Sequence, residues 1–446
     1  MRTLVETVEA IVSGRLSPVD AVEEALAAVA AWQSHTNLAS QVWADEAREL
    51  AASLGDRPVG PLHGVPVMVK DLYDVQGHET TGCCAAFAGN VAQGTSPLVY
   101  RLRRAGAIVI GKTSQHELAA GSSNLVSACG PTRNPWDLER VTAGSSGGSA
   151  IAVAAGCVPL TLGSDTGGSI RMPAAVCGLT GLKPTHGRLP LHGMMPLCPS
   201  MDCPGPMART ALDVAFAFSL LDGERPEGVP GPVAGLRVGM AREGLYAGTM
   251  TGDVRAAVAH VEEELTAAGA VVVEASLPRL EDAPDVWTDV GWPELAEAYP
   301  DLDLERLLPQ TRRSWEYGRD LPEDRRRAAR FRRAEIRTTF GRALEDCDVL
   351  LLPATPVAAP RADLDEVDVD GTTMAVSKGV LAWFTRPVSL TGLPALSVPA
   401  GFSSEGLPVG VQLVGRERDE WTLLRAGAAF QERTGHHLRE PALPGT

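Results

Sequence analysis

The first apolar pattern along the chain has the period of a helix. Over residues 17–31 the apolar positions recur three or four residues apart, and Ser17-Pro18 supplies an N-cap followed by proline at the first helical position. This spacing predicts an amphipathic helix over 17–31, with an apolar face made of Val19, Val22, Leu26 and Val29.

From about Gly60 the pattern changes to short apolar runs separated by helical stretches. The runs predict buried strands and the stretches predict helices, and we expect Ser149 to cap the second helix. This alternation indicates an α/β fold, in which helices cover a buried sheet. The predicted strands are Val65–Val69, Ala107–Ile110 and Val158–Leu162, and the predicted helices are Leu98–Arg104 and Ser149–Ala155.

A stretch rich in glycine and proline, Gly223 to Gly235, separates these elements from a second set. Glycine and proline interrupt regular structure, so the stretch predicts a crossing between two parts of the chain. The elements predicted after it are a strand at Leu236–Met240, a helix at Asp253–Ala268 and a strand at Ala270–Val273.

Residues 320–343 carry a dense group of arginines. These are not interleaved with aromatic residues in the manner of a base-stacking surface, so the pattern favours a solvated helix with acidic neighbours. The whole chain has 40 Lys plus Arg against 55 Asp plus Glu, a net charge of −15 that argues against a nucleic-acid partner. The arginines are Arg325, Arg326, Arg327, Arg330, Arg332, Arg333 and Arg337.

Length and composition narrow the class of protein. The 446 residues allow either two to three domains or one large α/β domain, and a hydrophobic fraction of 44% excludes a disordered chain. Eight cysteines are too sparse for a disulfide scaffold and are typical of reduced, mostly buried thiols. The start, MRTLVETVEAIVSG, lacks the features of a signal peptide, and the longest apolar run, 150–162, is too short to span a membrane. We therefore expect a cytoplasmic protein with no membrane association.

Residues 106–113 match the phosphate-loop pattern GxxxxGK[ST] letter by letter. In that loop the variable residues turn tightly, so that their N–H groups surround a phosphate. Here they are Ala-Ile-Val-Ile, an apolar run typical of a strand. We expect a strand and no nucleotide site.

Two clusters of glycine and serine bracket a helix and a strand within residues 144–169. A serine in a glycine-lined turn exposes its hydroxyl beside backbone N–H groups, which is what an acyl-transfer nucleophile requires. A Ser-His-Asp triad is not favoured, because no GxSxG surrounds Ser169 and no histidine lies in a nucleophile-elbow context. The histidines considered are His63, His78, His116 and His186.

Lysine is the other candidate base. Of the 40 basic residues, 36 are Arg and four are Lys. A lysine at the end of an apolar run, Lys70, is therefore unusual in this chain and indicates that the position requires lysine in particular. Arginine stays protonated, whereas a desolvated lysine can lose its proton and act as a base. The structural alternative is an ion pair between Lys70 and Asp71. For Lys112, at a predicted strand end, we expect a structural role.

Together these residues resemble the amidase signature family. Lys70, Ser145 and Ser169 stand 75 and 24 residues apart, and the matching motifs cover nearly the whole chain. The motifs are GPLHGVPVMVKD (60–71), GPTRNPWD (130–137), GSSGGSAIAVAAG (144–156), GSDTGGSIRMPAAVCGLTGLKPT (163–185), LTGLPALSVPAG (390–401) and GLPVGVQLVG (406–415).

The resemblance implies one large α/β domain over residues 1–446, with a mixed, largely buried β-sheet covered by helices. Its signature core would span about 60–205, and a segment at about 282–345 would shape the substrate pocket. The implied activity is hydrolysis of a small-molecule amide, with release of ammonia or an amine. No cofactor and no metal would be needed.

The resemblance also implies roles for individual residues. Ser169 would be the nucleophile, Ser145 a bridging serine after a cis peptide bond, and Lys70 the base. Lys183, which belongs to a family motif, would fix a turn. The oxyanion hole would be formed by the N–H groups of Thr166, Gly167, Gly168 and Ser169, with Ser146, Asp165 and Arg171 as supporting residues.

Three departures from the family pattern leave alternatives open. Ala143 replaces a usual glycine, Thr95-Ser96 replaces a common Asp-Ala, and segment 282–345 matches no motif. One alternative is the A subunit of a tRNA-dependent glutamine amidotransferase, although its substrate-binding Asp would fall near Ala382. The other is an amidase-like binding module without catalysis. The oligomeric state also stays open, a homodimer being one option.

Overall fold

The computed structural model describes residues 2–55, 57–224, 228–242, 250–278 and 280–444. Its helices are α1 (Leu4–Val12), α2 (Pro18–Thr36), α3 (Ala44–Ser53), α4 (Pro97–Arg104), α5 (Gly147–Ala154), α6 (Arg171–Cys177), α7 (Ala211–Asp222), α8 (Gly252–Ala267), α9 (Ala283–Ala298), α10 (Pro309–Asp320), α11 (Glu323–Ala343), α12 (Thr385–Thr391) and α13 (Glu420–Arg433). Its strands are β1 (Ala39–Val42), β2 (Pro66–Lys70), β3 (Ile108–Thr113), β4 (Leu160–Asp165), β5 (Thr180–Lys183), β6 (Cys203–Ala208), β7 (Arg237–Met240), β8 (Val271–Glu274), β9 (Val349–Pro353), β10 (Glu366–Val369), β11 (Thr372–Ala375), β12 (Ala395–Phe402) and β13 (Pro408–Gly415). Short 3-10 turns lie at Ala85–Phe87, Glu117–Ala119, Leu304–Arg306, Val380–Ala382 and His436–Leu438.

One mixed sheet organises the described part of the chain. Eleven strands follow the order β1-β3-β2-β4-β6-β5-β12-β13-β9-β7-β8, and β10 and β11 form a separate hairpin. Strand β2 is parallel to β3 and β4, whereas the strands from β4 to β9 pair antiparallel. Every residue of β2, β3 and β4 is buried, as expected for strands covered on both faces. The predicted α/β fold, a single domain with a mixed and largely buried sheet, is confirmed.

The N-terminal elements follow the predicted pattern closely. Helix α2 begins at Pro18, and the Ser17 side chain accepts the N–H of Asp20. Val19 is the exception on the predicted apolar face, because its side chain is 41% exposed. The segment that matches the phosphate-loop pattern lies on β3, as predicted.

The prediction that Ser149 caps a helix is wrong. Helix α5 already begins at Gly147, and the Ser149 hydroxyl, inside the helix, lies 2.7 Å from the Thr113 hydroxyl. The glycines before it serve close packing, because a Cβ at Gly148 would lie 2.4 Å from the carbonyl oxygen of Ser114.

The elements after the glycine- and proline-rich stretch join the same sheet. Strand β7 is parallel to both β8 and β9. Residues 225–227 of the predicted crossing lie outside the described residues.

The arginine-dense segment forms α11, and the predicted acidic neighbours are present for Arg325, Arg326, Arg330, Arg332 and Arg337. In the described ranges, we find no helix with the length and apolarity needed to cross a bilayer.

Candidate active site

The site forms where two parallel strands end. Lys70 is the last residue of β2 and Asp165 is the last residue of β4, and these strands pair in parallel. The carboxyl ends of parallel strands meet at one edge of a sheet, which is where open α/β folds usually place ligands. The lysine and the loop after Asp165 therefore lie at the same edge.

Lys70 is fully buried and contacts two hydroxyl groups. Its Nζ lies 2.7 Å from Ser145 Oγ and 2.9 Å from Ser164 Oγ. Burial lowers the pKa of Lys70 to about 7, although the nearby carboxylates of Asp202 and Asp165 act in the opposite direction. An amine with this pKa is partly neutral near pH 7 and can accept a proton.

The alternative ion pair between Lys70 and Asp71 is absent. Asp71 instead faces Lys112, whose Nζ lies 3.5 Å from Asp71 Oδ1. Successive side chains of an extended strand point to opposite faces, so two neighbours at a strand end cannot easily meet. The structural role expected for Lys112 agrees with its bonds to Glu79 O and to the Thr80 hydroxyl.

The serines of the glycine-rich turn are held close to Lys70. The peptide bond between Gly144 and Ser145 is cis, and Ala143 before it has φ +52°, in the left-handed region. The Ser146 hydroxyl donates to the Ser164 carbonyl at 3.1 Å, and the Ser146 N–H donates to the Ser169 carbonyl at 3.3 Å. Ser146 thus ties the turn to both β4 and the loop that carries Ser169.

Ser169 lies on a cleft of about 490 Å³, and its side chain is nearly buried. Among the described residues, we find no hydrogen-bond partner for its hydroxyl, Ser145 included. Catalytic hydrogen bonds are often long without substrate and shorten when it binds.

None of the four histidines named above contacts the Ser169 hydroxyl. The backbone N–H of His116 donates to the Ser145 carbonyl, and burial lowers the pKa of the His116 imidazole to about 3.

A buried ion pair fixes the loop between Asp165 and Arg171. Arg171 Nε lies 2.9 Å from Asp165 Oδ2, and Arg171 also binds the Gln412 and Ser389 side chains. Burial alone would raise the pKa of Asp165, yet the Arg171 charge and hydrogen bonds keep that pKa below its usual value. The carboxylate therefore stays ionised and can hold the loop.

Side chains from distant segments hold two carbonyl groups of the same loop. Trp287 Nε1 donates to the Thr166 carbonyl at 3.0 Å, and Thr385 Oγ1 donates to the Gly167 carbonyl at 2.7 Å. Gly168 N–H is already bound, 2.8 Å from Asp165 Oδ1. The N–H groups of Thr166, Gly167 and Ser169 have no acceptor within the described ranges, which leaves three of the four predicted donors available.

Several contacts of the site could not be read from the sequence. Ser164, the second partner of Lys70, stands inside a matching motif, but its spacing of 94 residues from Lys70 gave no signal. Asp202 is buried, accepts the Thr166 hydroxyl at 2.6 Å and favours the charged form of Lys70. Trp287 and Thr385, which hold the loop carbonyls, come from segments far along the chain.

One cluster of potential metal ligands lies beside the site. Asp71, Cys83 and Cys129 bring their ligand atoms within 4.8 Å of one another. The Lys112 ammonium supplies the positive charge at Asp71, so this carboxylate is paired without an ion. The eight cysteines are free thiols and all except Cys129 are buried, as predicted.

Segment 282–345 contributes Trp287, Trp292 and Tyr317 to the wall of the cleft.

Lys183, expected to fix a turn, is buried and donates to the carbonyl of Pro184, the next residue. A separate cavity of about 720 Å³ near α1 is lined by none of the predicted catalytic residues.

Comparisons with known proteins agree with this architecture. The chain is 38% identical to the A subunit of the glutamyl-tRNA(Gln) amidotransferase of Roseiflexus sp. (strain RS-1), over an alignment of 493 positions covering 99% of this chain and 98% of the relative. A crystal structure described as an amidase has a TM-score of 0.92 at 35% identity, covering 97% of this chain and 100% of its own. The structure of the glutamyl-tRNA(Gln) amidotransferase A subunit from Thermotoga maritima has a TM-score of 0.84 at 28% identity, covering 98% of each chain. The sequence pattern of the family described as Amidase matches residues 20–424, and the chain therefore belongs to the amidase family of enzymes, which act on carbon–nitrogen bonds of amides.

Proposed function

We propose that the chain cleaves a carboxamide C–N bond through an acyl-enzyme on Ser169, with Ser145 and Lys70 as the proton relay. The observation that carries this proposal is the 2.7 Å contact between Lys70 Nζ and Ser145 Oγ, made by a buried amine whose pKa is lowered to about 7. Ser169, on the adjoining cleft, supplies the reacting hydroxyl.

In the first step, Ser169 Oγ attacks the amide carbonyl carbon. Its proton passes to Ser145, and the Ser145 proton passes to neutral Lys70. The negative charge that develops on the carbonyl oxygen is stabilised by the N–H groups of Thr166, Gly167 and Ser169. One such donor typically contributes about 2.7–4 kcal/mol of transition-state stabilisation.

In the second step, the C–N bond breaks. The proton held by Lys70 returns through Ser145 to the leaving nitrogen, so that ammonia or a neutral amine departs. Water then attacks the acyl-enzyme ester and releases the carboxylic acid, which regenerates the Ser169 hydroxyl. Ser146, Asp165 and Arg171 keep the two loops in place and do not touch the reacting atoms.

A second candidate is narrower: glutaminase action as the A subunit of a tRNA-dependent amidotransferase. The comparisons support it better than a free-standing amidohydrolase, because the Roseiflexus relative and the Thermotoga maritima structure carry that name. The cleft supports the free-standing enzyme, because Ala382, where the amidotransferase would have its substrate-binding Asp, lines the cleft with a methyl group. Such a side chain offers no charge to the ammonium group of glutamine.

A panel of primary amides, anilides, ureido compounds and glutamine distinguishes the two candidates. The purified chain alone is incubated with each compound, and released ammonia or amine is measured. Turnover of amides other than glutamine is the result expected of a free-standing amidohydrolase. Glutamine hydrolysis that appears only when the partner proteins of an amidotransferase are added would establish the second candidate.

The pH dependence of kcat/KM should follow the ionisation of Lys70. Only neutral Lys70 can accept the proton, so activity is expected to rise with pH, with a midpoint near its pKa of about 7, and to reach a plateau above it. At two pH units below the midpoint the rate should be about 100-fold lower. Initial rates between pH 5 and 9 test this. A flat profile, or a midpoint near the ordinary lysine pKa, would contradict the role of Lys70.

A further inference from the structure

The walls of the cleft carry a charge opposite to that of the whole protein. The chain has a net charge of −15, yet Arg313, Lys378 and Arg386 line the cleft and Asp285 is the one carboxylate among the described residues that line it. Concentrated positive charge beside a reacting group raises the local concentration of anions. The cleft is therefore suited to a substrate of negative charge.

The Arg386 side chain is held in place by an aromatic ring and a backbone carbonyl. Its guanidinium lies 4.7 Å from the ring centroid of Trp287, and its Nη1 donates to the Lys378 carbonyl at 3.4 Å. Gly379 follows with φ +85°, and a Cβ there would lie 2.7 Å from Arg386 Nη2. The backbone therefore passes close to the guanidinium, in a left-handed conformation that favours glycine.

The aromatic partner of Arg386 also holds the catalytic loop in place. Trp287 is 4% exposed and donates its Nε1–H to the Thr166 carbonyl. One side chain therefore fixes both the guanidinium and the loop that carries Ser169. The position of Arg386 relative to the reacting serine is thus set by packing, as a specificity site requires.

Arg386 is half-buried and forms no direct ion pair with any described residue. In the parts of the chain that the structure describes, we find no carboxylate within 4 Å of its guanidinium, whereas arginines on α11 pair with Asp or Glu. Burial lowers the pKa of Arg386 to about 10, although the charge of Asp285 across the cleft acts in the opposite direction, and Arg386 stays charged at neutral pH. A desolvated guanidinium that has no direct ion pair is costly, and a ligand of opposite charge that bonds to it relieves that cost.

We propose that the amide substrate of this chain carries a carboxylate, and that Arg386, with Lys378 and Arg313 beside it, binds this carboxylate in the cleft next to Ser169. With the guanidinium over the Trp287 ring and Nη1 donating to the Lys378 carbonyl, its other N–H groups remain for a planar acceptor, to which they can bind in bidentate fashion. The cleft volume of about 490 Å³ suits a small molecule. This inference rests on the proposed function, because it takes Ser169 as the reacting group.

The test compares glutaramate, which is a monoamide with a free carboxylate, with pentanamide, its neutral analogue of similar length. The wild-type chain is expected to have a higher kcat/KM for glutaramate. In Arg386→Met the ratio of the two values should fall by about 10- to 100-fold, as is typical for the loss of a charged hydrogen bond. Arg386→Lys should fall in between, because it keeps the charge and loses the bidentate geometry.

Arg327→Met is the matched control, because Arg327 is exposed on α11 and does not line the cleft. Its ratio should equal that of the wild type. A wild type that shows no preference for glutaramate, or an unchanged ratio in Arg386→Met, would overturn the proposal.

Binding of glutarate, measured by calorimetry, does not depend on turnover. We expect wild-type binding and a loss of about 10- to 100-fold in affinity in Arg386→Met. If glutarate binds through Arg386 but no amide is cleaved, the carboxylate site stands and the proposed function fails. If amides are cleaved but glutarate binds equally well to both proteins, the proposed function stands and the carboxylate site fails.

Discussion

Ser169→Ala is expected to lower the rate of amide hydrolysis by at least about 10⁴-fold, because no other group can form the acyl-enzyme. The fold should persist. No described residue bonds to the Ser169 hydroxyl, and its removal is expected to change the free energy of unfolding by about 1 kcal/mol or less. Hydrolysis rates and thermal unfolding, measured on the same preparation, separate the two effects.

Ser53→Ala serves as the control for Ser169→Ala. Ser53 is exposed at the end of α3, and its replacement should change neither rate nor stability. If Ser169→Ala retained more than about one tenth of the wild-type rate, Ser169 could not be the nucleophile.

The second large effect is expected of Lys70→Met, which keeps an unbranched side chain but removes the proton acceptor. General-base catalysis typically contributes about 10²- to 10⁴-fold, and we expect a fall in kcat of that size. The substitution also leaves the Ser145 and Ser164 hydroxyls without their shared partner, at a cost of about 1–3 kcal/mol in stability. Steady-state kinetics and denaturant unfolding measure both quantities.

Lys70→Arg distinguishes a base from a merely positive charge. Arginine remains protonated in proteins and cannot accept the Ser145 proton, so this variant should be as inactive as Lys70→Met. An active Lys70→Arg would show that charge at this position is sufficient, and the relay would have to be abandoned.

Local sequence signals were enough to predict the elements around the site. Ser17-Pro18 placed the start of α2, and the apolar run before Lys70 placed β2. These signals act over a few residues, so they survive in any tertiary context. The prediction for Ser149 failed, because α5 begins two residues earlier, at Gly147, in a glycine-rich stretch that packs closely against other backbone. The close approach of Gly148 to the Ser114 backbone has no counterpart in local helix propensity.

Contacts over long distances in sequence could not be predicted in the same way. The scarcity of lysine singled out Lys70, but the structure was needed to show that Asp71 turns away towards Lys112. Asp202, Trp287 and Thr385 meet the loop after Asp165 only because the sheet and α9 bring distant segments together. The occupied N–H of Gly168 likewise depends on the rotamer of Asp165, which no sequence pattern encodes.

The charge of the cleft also depends on contacts between distant parts of the sequence. Segment 282–345 matches no motif, yet it supplies Trp287, against which Arg386 stacks. The family resemblance implied that this segment shapes the pocket, but it did not predict the charge of the pocket. That charge arises from Arg313 and, more than sixty residues further along the chain, from Lys378 and Arg386, and only the folded chain brings these two regions together.

The identity of the nucleophile is tested most directly by covalent labelling with a fluorophosphonate, which reacts with activated serine hydroxyls. The wild-type chain is incubated with the reagent, digested, and analysed by peptide mass spectrometry, with Ser169→Ala treated in parallel. We expect one adduct, on the peptide that contains Ser169, and none in the variant. An adduct on another residue, or labelling that persists in Ser169→Ala, would contradict an acyl-enzyme on Ser169.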